Sequence, residues 1–205
     1  MHPNPVFRKT PQAQNLAFAD AQSFGILSVN GADGPMLAHV PFLLSGDGAV
    51  ADLHLVRSNP IARGELPAPA VIAVQGPHGY VSPDWYEIDD QVPTWNYVAV
   101  HLRGRLELRP ADELHDLLTR QSAHFEADLA PKPEWKMDKM SDDALAKMMR
   151  MIVPCRLHID RVEGTWKLNQ NKDDAVRRAA IQRITDGTRG VELAQLAQLM
   201  RAALQ

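Results

Sequence analysis

Four short segments carry the residue types that could do chemistry. The first is Val92-Pro93-Thr94-Trp95-Asn96-Tyr97, running straight into Val98-Ala99-Val100-His101-Leu102-Arg103-Gly104. A proline fixes the entry angle, and Trp95, Asn96 and Tyr97 follow without a break. Three such side chains in a row cannot all face one core, so at least one should point to a groove, where it could stack on a flat heterocycle while an amide bonds its edge. The second is His54-Leu55-Val56-Arg57-Ser58-Asn59-Pro60. Arg57 offers a planar fork of donors that matches a phosphate, and Ser58 and Asn59 add neutral donors in a turn. The bland alternative is a surface cation followed by an ordinary turn. The third is Gly164 to Lys172, with Lys167 and Lys172 as cations and Asn169, Gln170 and Asn171 as amides. Alone it reads as a solvated helix entry. The fourth, His39-Val40-Pro41-Phe42, predicts an edge strand or a bulge, because a proline cannot donate to a ladder.

The elements that position these segments follow from periodicity. From Val98 to Leu108 the even positions read Val, Val, Leu, Gly, Leu, Leu, while the odd ones are mostly polar, which predicts a strand with one dry and one wet face over Thr94 to Arg109. Gly104 suits a bend at its middle. Upstream, Pro11 to Ser23 predicts a helix. Phe24–Val29, Met36–Leu44 and Ala49–Val56 form a three-stranded antiparallel meander, and Ile61 to Leu66 a short helix. Ala70 to Gln75 is a central apolar strand, with Gly76-Pro77-His78-Gly79 as its closing turn. Helices are expected over Ala111–Ala127 and from a Ser141-Asp142-Asp143 cap to Met151. A strand over Pro154–Asp160 should continue after a bulge to Leu168, and a helical hairpin over about 173–205 closes the chain. About six strands with tight turns, in blocks separate from the helices, predict an α+β fold with a largely antiparallel sheet, a small closed or partly closed β-barrel with flanking helices and a C-terminal helical hairpin, the whole read as one domain with residues 173–205 as its appendage.

Composition bounds the rest. The chain has 205 residues, 45% hydrophobic and 23% charged, with a formal net charge of -3, so no global basic field recruits nucleic acid. A lone Cys155, on the apolar face of its strand, excludes a disulfide framework and suits a reducing compartment. The N-terminus lacks the apolar core of a signal peptide, and no apolar run approaches a membrane span. A cytoplasmic protein is expected. The eight histidines show no zinc-ligand spacing, and neither a GxGxxG nor a phosphate-loop signature occurs.

Taken together, collinear segments spanning nearly the whole chain resemble the PaiB-type FMN-binding proteins, often called negative transcriptional regulators: Pro3 to Phe7, His54 to Pro60, Val81-Ser82-Pro83-Asp84-Trp85-Tyr86, Val92 to Tyr97 with His101 and Gly104, and Lys167 to Lys172. The resemblance implies an FMN-binding split barrel of Greek-key type, related to pyridoxamine-phosphate oxidase-like flavoproteins, and a homodimer with flavin at the subunit interface. By that resemblance Arg57, Ser58 and Asn59 hold the phosphate, with His54 just before them. Trp95, Asn96 and Tyr97 border the flavin or the substrate groove, and Lys167, Gln170 and Asn171 close the site. The family's His-Gly-His ahead of its Arg-Ala-Asn-Pro is here Asp52-Leu53-His54, and Asn169 stands where the family usually has Ser.

Two functions follow: a flavin-dependent oxidoreductase or flavin-binding protein acting on a small-molecule ligand, and a transcriptional regulator. For DNA contact the only candidate reader is the terminal hairpin, with Arg177, Arg178 and Arg183 on its first helix, and a packing hairpin is the stronger reading. The alternative on the same barrel is a haem- or pyridoxal-phosphate-handling protein, with His101 or His158 as haem ligand.

Overall fold

A computed structural model describes residues 1–204. A single 3-10 turn at Pro5–Arg8 precedes α1 (Gln12–Gln22). Three strands follow, β1 (Phe24–Gly31), β2 (Gly34–Leu44) and β3 (Val50–Val56), then the one-turn α2 (Pro60–Arg63) and β4 (Ala68–Val81). After a second 3-10 turn, Pro83–Tyr86, comes β5 (Thr94–Leu108), then α3 (Glu113–Ala127), α4 (Asp142–Met149) and β6 (Ile152–Lys167). The chain closes through α5 (Asp174–Thr185), the two-residue β7 (Gly190–Val191) and α6 (Leu193–Ala202).

The strand order is β1-β2-β3-β6-β5-β4-β7, and β1 also pairs with β4, so six strands form a ring and β7 lies outside it. The β1–β2, β2–β3, β3–β6, β1–β4 and β4–β7 pairings are all antiparallel. Within the ring β4 lies beside β1, and β1, β2 and β3 are joined by tight turns; the spatial order 4-1-2-3 is that of a Greek key.

The residues group into two compact units, and β4, β5 and β6 each contribute to both. The first comprises Met1–Phe18, Val74–His101 and the chain from Glu163 on. Its core is built from Val81, Tyr86, Val98, Trp166 and Leu168 against Ala180, Ile181 and Ile184 of α5 and Leu196, Ala197 and Met200 of α6. The second comprises Ala19–Ala73 and Leu102–Val162. Its interior follows the period-2 pattern: Leu27 and Val29 of β1, Val40 and Phe42 of β2, Ala51, Leu53 and Leu55 of β3, Ile72 of β4, Leu102 and Leu106 of β5, and Cys155 and Leu157 of β6 are all buried. Each fully buried Leu, Ile or Phe side chain contributes about 1.5–3 kcal/mol, which makes this alternation the main source of the fold's stability.

One sequence expectation needs correction. Gly76 to Gly79 does not turn; β4 runs through it, because β7 supplies a partner at His78 and Gly79 and both glycines accept close packing, Gly76 against Phe18 and Gly79 against Leu193. Pro41 occupies a local edge, as expected: it pairs with β1 alone. It lies where β2 leaves β1, at the Phe24–Pro41 pair, and takes up β3, at the Phe42–Leu53 pair, so its missing N–H interrupts neither ladder.

Asp52 stands where the family pattern has its first histidine, and here it is the centre of an ion-pair cluster. It points out from β3, is nearly buried, and accepts two hydrogen bonds from Arg156 (Nε 2.6 Å, Nη2 3.0 Å) and one from Arg120 of α3 (3.1 Å). Burial raises the carboxyl's pKa, but the two guanidiniums outweigh it and hold it below the ordinary carboxylate range. A depressed folded-state pKa gives stability that is complete above the unfolded value and lost as pH falls through the folded one. Wild type should therefore lose stability in acid, below the ordinary carboxylate range, more steeply than Asp52→Asn, which should already be about 2 kcal/mol less stable at neutral pH. Urea midpoints of both proteins across the acid range check this.

Candidate functional site

The turn after β3 belongs to the second unit. Arg57 is exposed; its Nε donates to the carbonyl of Arg150 (3.0 Å) and its Nη2 to that of Ile152 (3.3 Å), while its own N–H donates to the carbonyl of Met151. The guanidinium is thereby oriented by the start of β6, a link across 93 residues that no local pattern reveals. Ser58 beside it is exposed. Asn59 instead serves the backbone. Its side chain accepts from Ile61 N–H (2.9 Å) and caps α2, so its amide oxygen is spent on the fold. His54 is partly buried on the outer side of β3, its Nδ1 lacks a partner, and burial pushes its pKa down while Gln121 of α3 raises it.

The other predicted residues belong to the first unit. Trp95 is 42% exposed, with Tyr80 set edge-on at 6.2 Å and His78 at 6.1 Å between ring centroids. Asn96 is fully buried; its amide donates to Met200 Sδ (3.4 Å) and its oxygen has no partner. Tyr97 is half-buried, and burial raises its phenol pKa against a hydrogen bond with Thr165. Of the three consecutive side chains, then, Trp95 faces out and Asn96 faces the core.

Lys167, at the end of β6, is partly buried. Its ammonium donates to Thr94 Oγ1 and stands 6.0 Å from the Phe7 ring centroid. Burial, with Lys172 nearby, pushes its pKa down, and no carboxylate among the described residues pairs with it. Lys172 donates to Gln91 and lies 4.3 Å over the Tyr86 ring. Gln170 closes its own turn, donating to the Trp166 carbonyl (2.6 Å) and accepting from Leu168 N–H (2.8 Å). Asn171 is exposed. Asn169 is buried at φ 62°, a left-handed conformation that Asn adopts far more readily than Ser. The structure thus brings Lys167, Lys172, Thr94 and the aromatic rings into one electropositive corner of the first unit, with Gln170 as a structural brace.

A family model described as "Putative FMN-binding domain" matches residues 1–161. The chain belongs to this FMN-binding domain family. FMN is the cofactor that the family's description carries, in agreement with the sequence expectation. Over 205 residues the chain is 28% identical to the Bacillus subtilis "Protease synthase and sporulation protein PAI 2", covering 98% of this chain and 97% of that protein. Among solved structures it is similar to the FAD and heme binding protein from Mycobacterium smegmatis (17% identity, 90% of this chain and 82% of that chain, TM-score 0.58). It is similar also to the flavocytochrome Anf3 from Azotobacter vinelandii (15% identity, 81% and 72%, TM-score 0.59). At these identities the likeness shows a shared fold, the split-barrel type expected from the sequence.

Other candidate centres are occupied by structure. His158 Nε2 is bonded to Glu107 (2.9 Å), and Cys155 is buried with its thiol pushed up to about 12, so the thiolate nucleophile is not available at neutral pH. No described helix is long and apolar enough to cross a membrane. Arg177, read from the sequence as a cation on a possible DNA-reading helix, is 2% exposed: it bonds Asp174 (2.9 Å) and the carbonyl of Ala203 (2.6 Å) at the end of α6. Helical spacing alone could not have found this, because its partner lies on the next helix.

Proposed function

We propose that this protein binds FMN and works as a flavin-dependent oxidoreductase on a small-molecule ligand. The observation that carries the reading is Lys167: a partly buried ammonium with no carboxylate partner among the described residues and a second cation beside it is a costly arrangement that an anionic or electron-rich group would relieve. The residues fit the cofactor in kind. Arg57 and Ser58, exposed and oriented on their turn in the second unit, suit a phosphate, and Lys167, taken by itself in the first unit, suits an anionic group. Bound FMN would supply the electron-transfer chemistry, and the protein would supply binding and electrostatics.

Purified protein should show a flavin absorption spectrum or gain thermal stability from added FMN. Arg57→Ala should weaken FMN binding by about tenfold to a hundredfold, the worth of a charge-assisted phosphate contact, with little change in melting temperature. A colourless protein that neither binds FMN nor is stabilised by it would overturn the reading.

The assembly proposed is a homodimer with the flavin at its interface. In its support, Phe24 (53% exposed) and Leu37 (61% exposed) lie on one side of the β1–β2 ladder with Ile26 and Pro41, at least partly exposed apolar side chains interleaved with Ser28 and His39. Light scattering that gives the mass of one chain would remove this part. A regulatory role is proposed to run through the flavin and its ligand, in the cytoplasm, rather than through DNA; the withdrawal of Arg177 into the hairpin supports that choice, and a salt-dependent gel shift on cognate DNA would reverse it.

A further inference from the structure

A cavity of roughly 690 Å³ in the first unit is lined by Tyr80, Trp85, Trp95, Arg183, Asp186 and Arg189. Its walls have a definite origin. Tyr80 and Trp95 project from the wet faces of β4 and β5, whose alternate residues Val81 and Asn96 fill the core. Trp85 comes from the 3-10 turn Pro83–Tyr86. Opposite them, Arg183 stands in the last turn of α5 and Asp186 at its C-cap, and the segment carrying Arg189 is pinned by the bond from Tyr80 N–H to the Arg189 carbonyl (3.0 Å).

Three indole and phenol rings left partly in solvent beside two guanidiniums are unusual for a structural surface. The pairings that would make these cations structural are missing: among the described residues neither Arg183 nor Arg189 has a carboxylate within ion-pair distance, although Asp186 shares the cavity. Tyr80 meets Trp95 edge-on (74° between ring planes), and Trp95 keeps 42% of its surface in solvent, so part of its ring is open to a further flat ring. Two guanidiniums against one carboxylate leave the walls one net positive charge, which matches a monoanion, and the guanidinium fork matches a carboxylate's two oxygens.

We propose that this cavity binds a planar aromatic carboxylate. The ring stacks on Trp95 and Trp85, and the carboxylate meets Arg183 and Arg189. Asp186 sets the selectivity: its negative charge repels dianions and trims affinity for the monoanion. The site needs no flavin and does not rest on the FMN reading.

Isothermal titration of the full-length protein with 2-naphthoate as probe tests it. Binding of 2-naphthoate should be at least about tenfold tighter than that of its neutral amide, 2-naphthamide. Arg183→Gln and Arg189→Gln should each weaken it by about tenfold, with circular dichroism unchanged. Asp186→Asn should tighten it severalfold, a change of opposite sign that a merely damaged protein would not give. Equal binding of acid and amide, no binding at all, or indifference to the arginine substitutions would overturn the proposal. Tighter binding of 2-naphthyl phosphate would overturn the carboxylate assignment, and displacement of the probe by FMN would overturn a site apart from the flavin. FMN binding is followed separately by its visible absorption, so either conclusion can fail while the other stands.

Discussion

Gly104→Ala should be among the most damaging single-methyl substitutions available in this chain. A Cβ built at Gly104 would lie 1.7 Å from the carbonyl oxygen of His158 and 2.7 Å from its carbon, both main-chain atoms of β6. No rotamer relieves such an overlap, because the obstruction is backbone on one side and Cβ itself on the other. Either the β5–β6 ladder separates or β5 shifts, and both options disturb Leu102, Leu106 and Leu157 in the same interior. We expect a loss above about 4 kcal/mol, beyond the usual range for overpacking and enough to unfold a marginal domain at room temperature. Gly46, which has nothing within 4 Å of a built Cβ, serves as the control: Gly46→Ala should leave the urea midpoint almost unchanged. A Gly104→Ala protein with a wild-type midpoint would mean that β5 and β6 do not approach as described.

The second large effect is expected at Arg177. Its Nη2 donates to the Ala203 carbonyl, with the Met200 carbonyl at 3.5 Å, and its Nη1 meets Asp174 one turn away. It thus fastens the C-terminal end of α6 to α5 and places a cation where that helix's last carbonyls gather negative potential. Arg177→Ala would leave these carbonyls without their donor, and a void beside Ile181 and Met200 in the same cluster. Removing one member of such a buried set costs about 3–4 kcal/mol. The loss should be seen as a lower unfolding midpoint together with faster proteolysis within 174–204. Arg178→Ala, one residue on and exposed, should change neither.

These two residues also show how far a linear reading reaches. The alternation of β5 was legible from Val98 to Leu106, failing only at Leu108, which is exposed where the strand ends, and its parity already put Asn96 on the same face as Val98 and Val100; the aromatic company on either side concealed that. Ser141 as cap of α4 and the tight turns of the meander were equally legible, because each depends on neighbours within four residues. What escaped depends on long separations. The continuation of β4 past Gly76 needs a two-residue partner more than 110 positions downstream. Asp52 meets Arg156 across 104 residues, and Arg177 meets Ala203 across 26. Within the candidate site, the chemistry of Arg57 and Lys167 was visible as residue type. The helix cap made by Asn59 and the brace made by Gln170 became visible only with the backbone in place, since the same amide serves a ligand or a turn equally well.

The buried thiol of Cys155 has a practical use. It is the chain's one sulfhydryl, set in β6 against Leu53 of β3, and burial keeps it protonated up to about 12. A disulfide or maleimide reagent therefore finds no reactive sulfur while β3 and β6 remain paired. Its reaction rate becomes a count of how often that ladder opens, an internal clock for breathing motions that needs no engineered label.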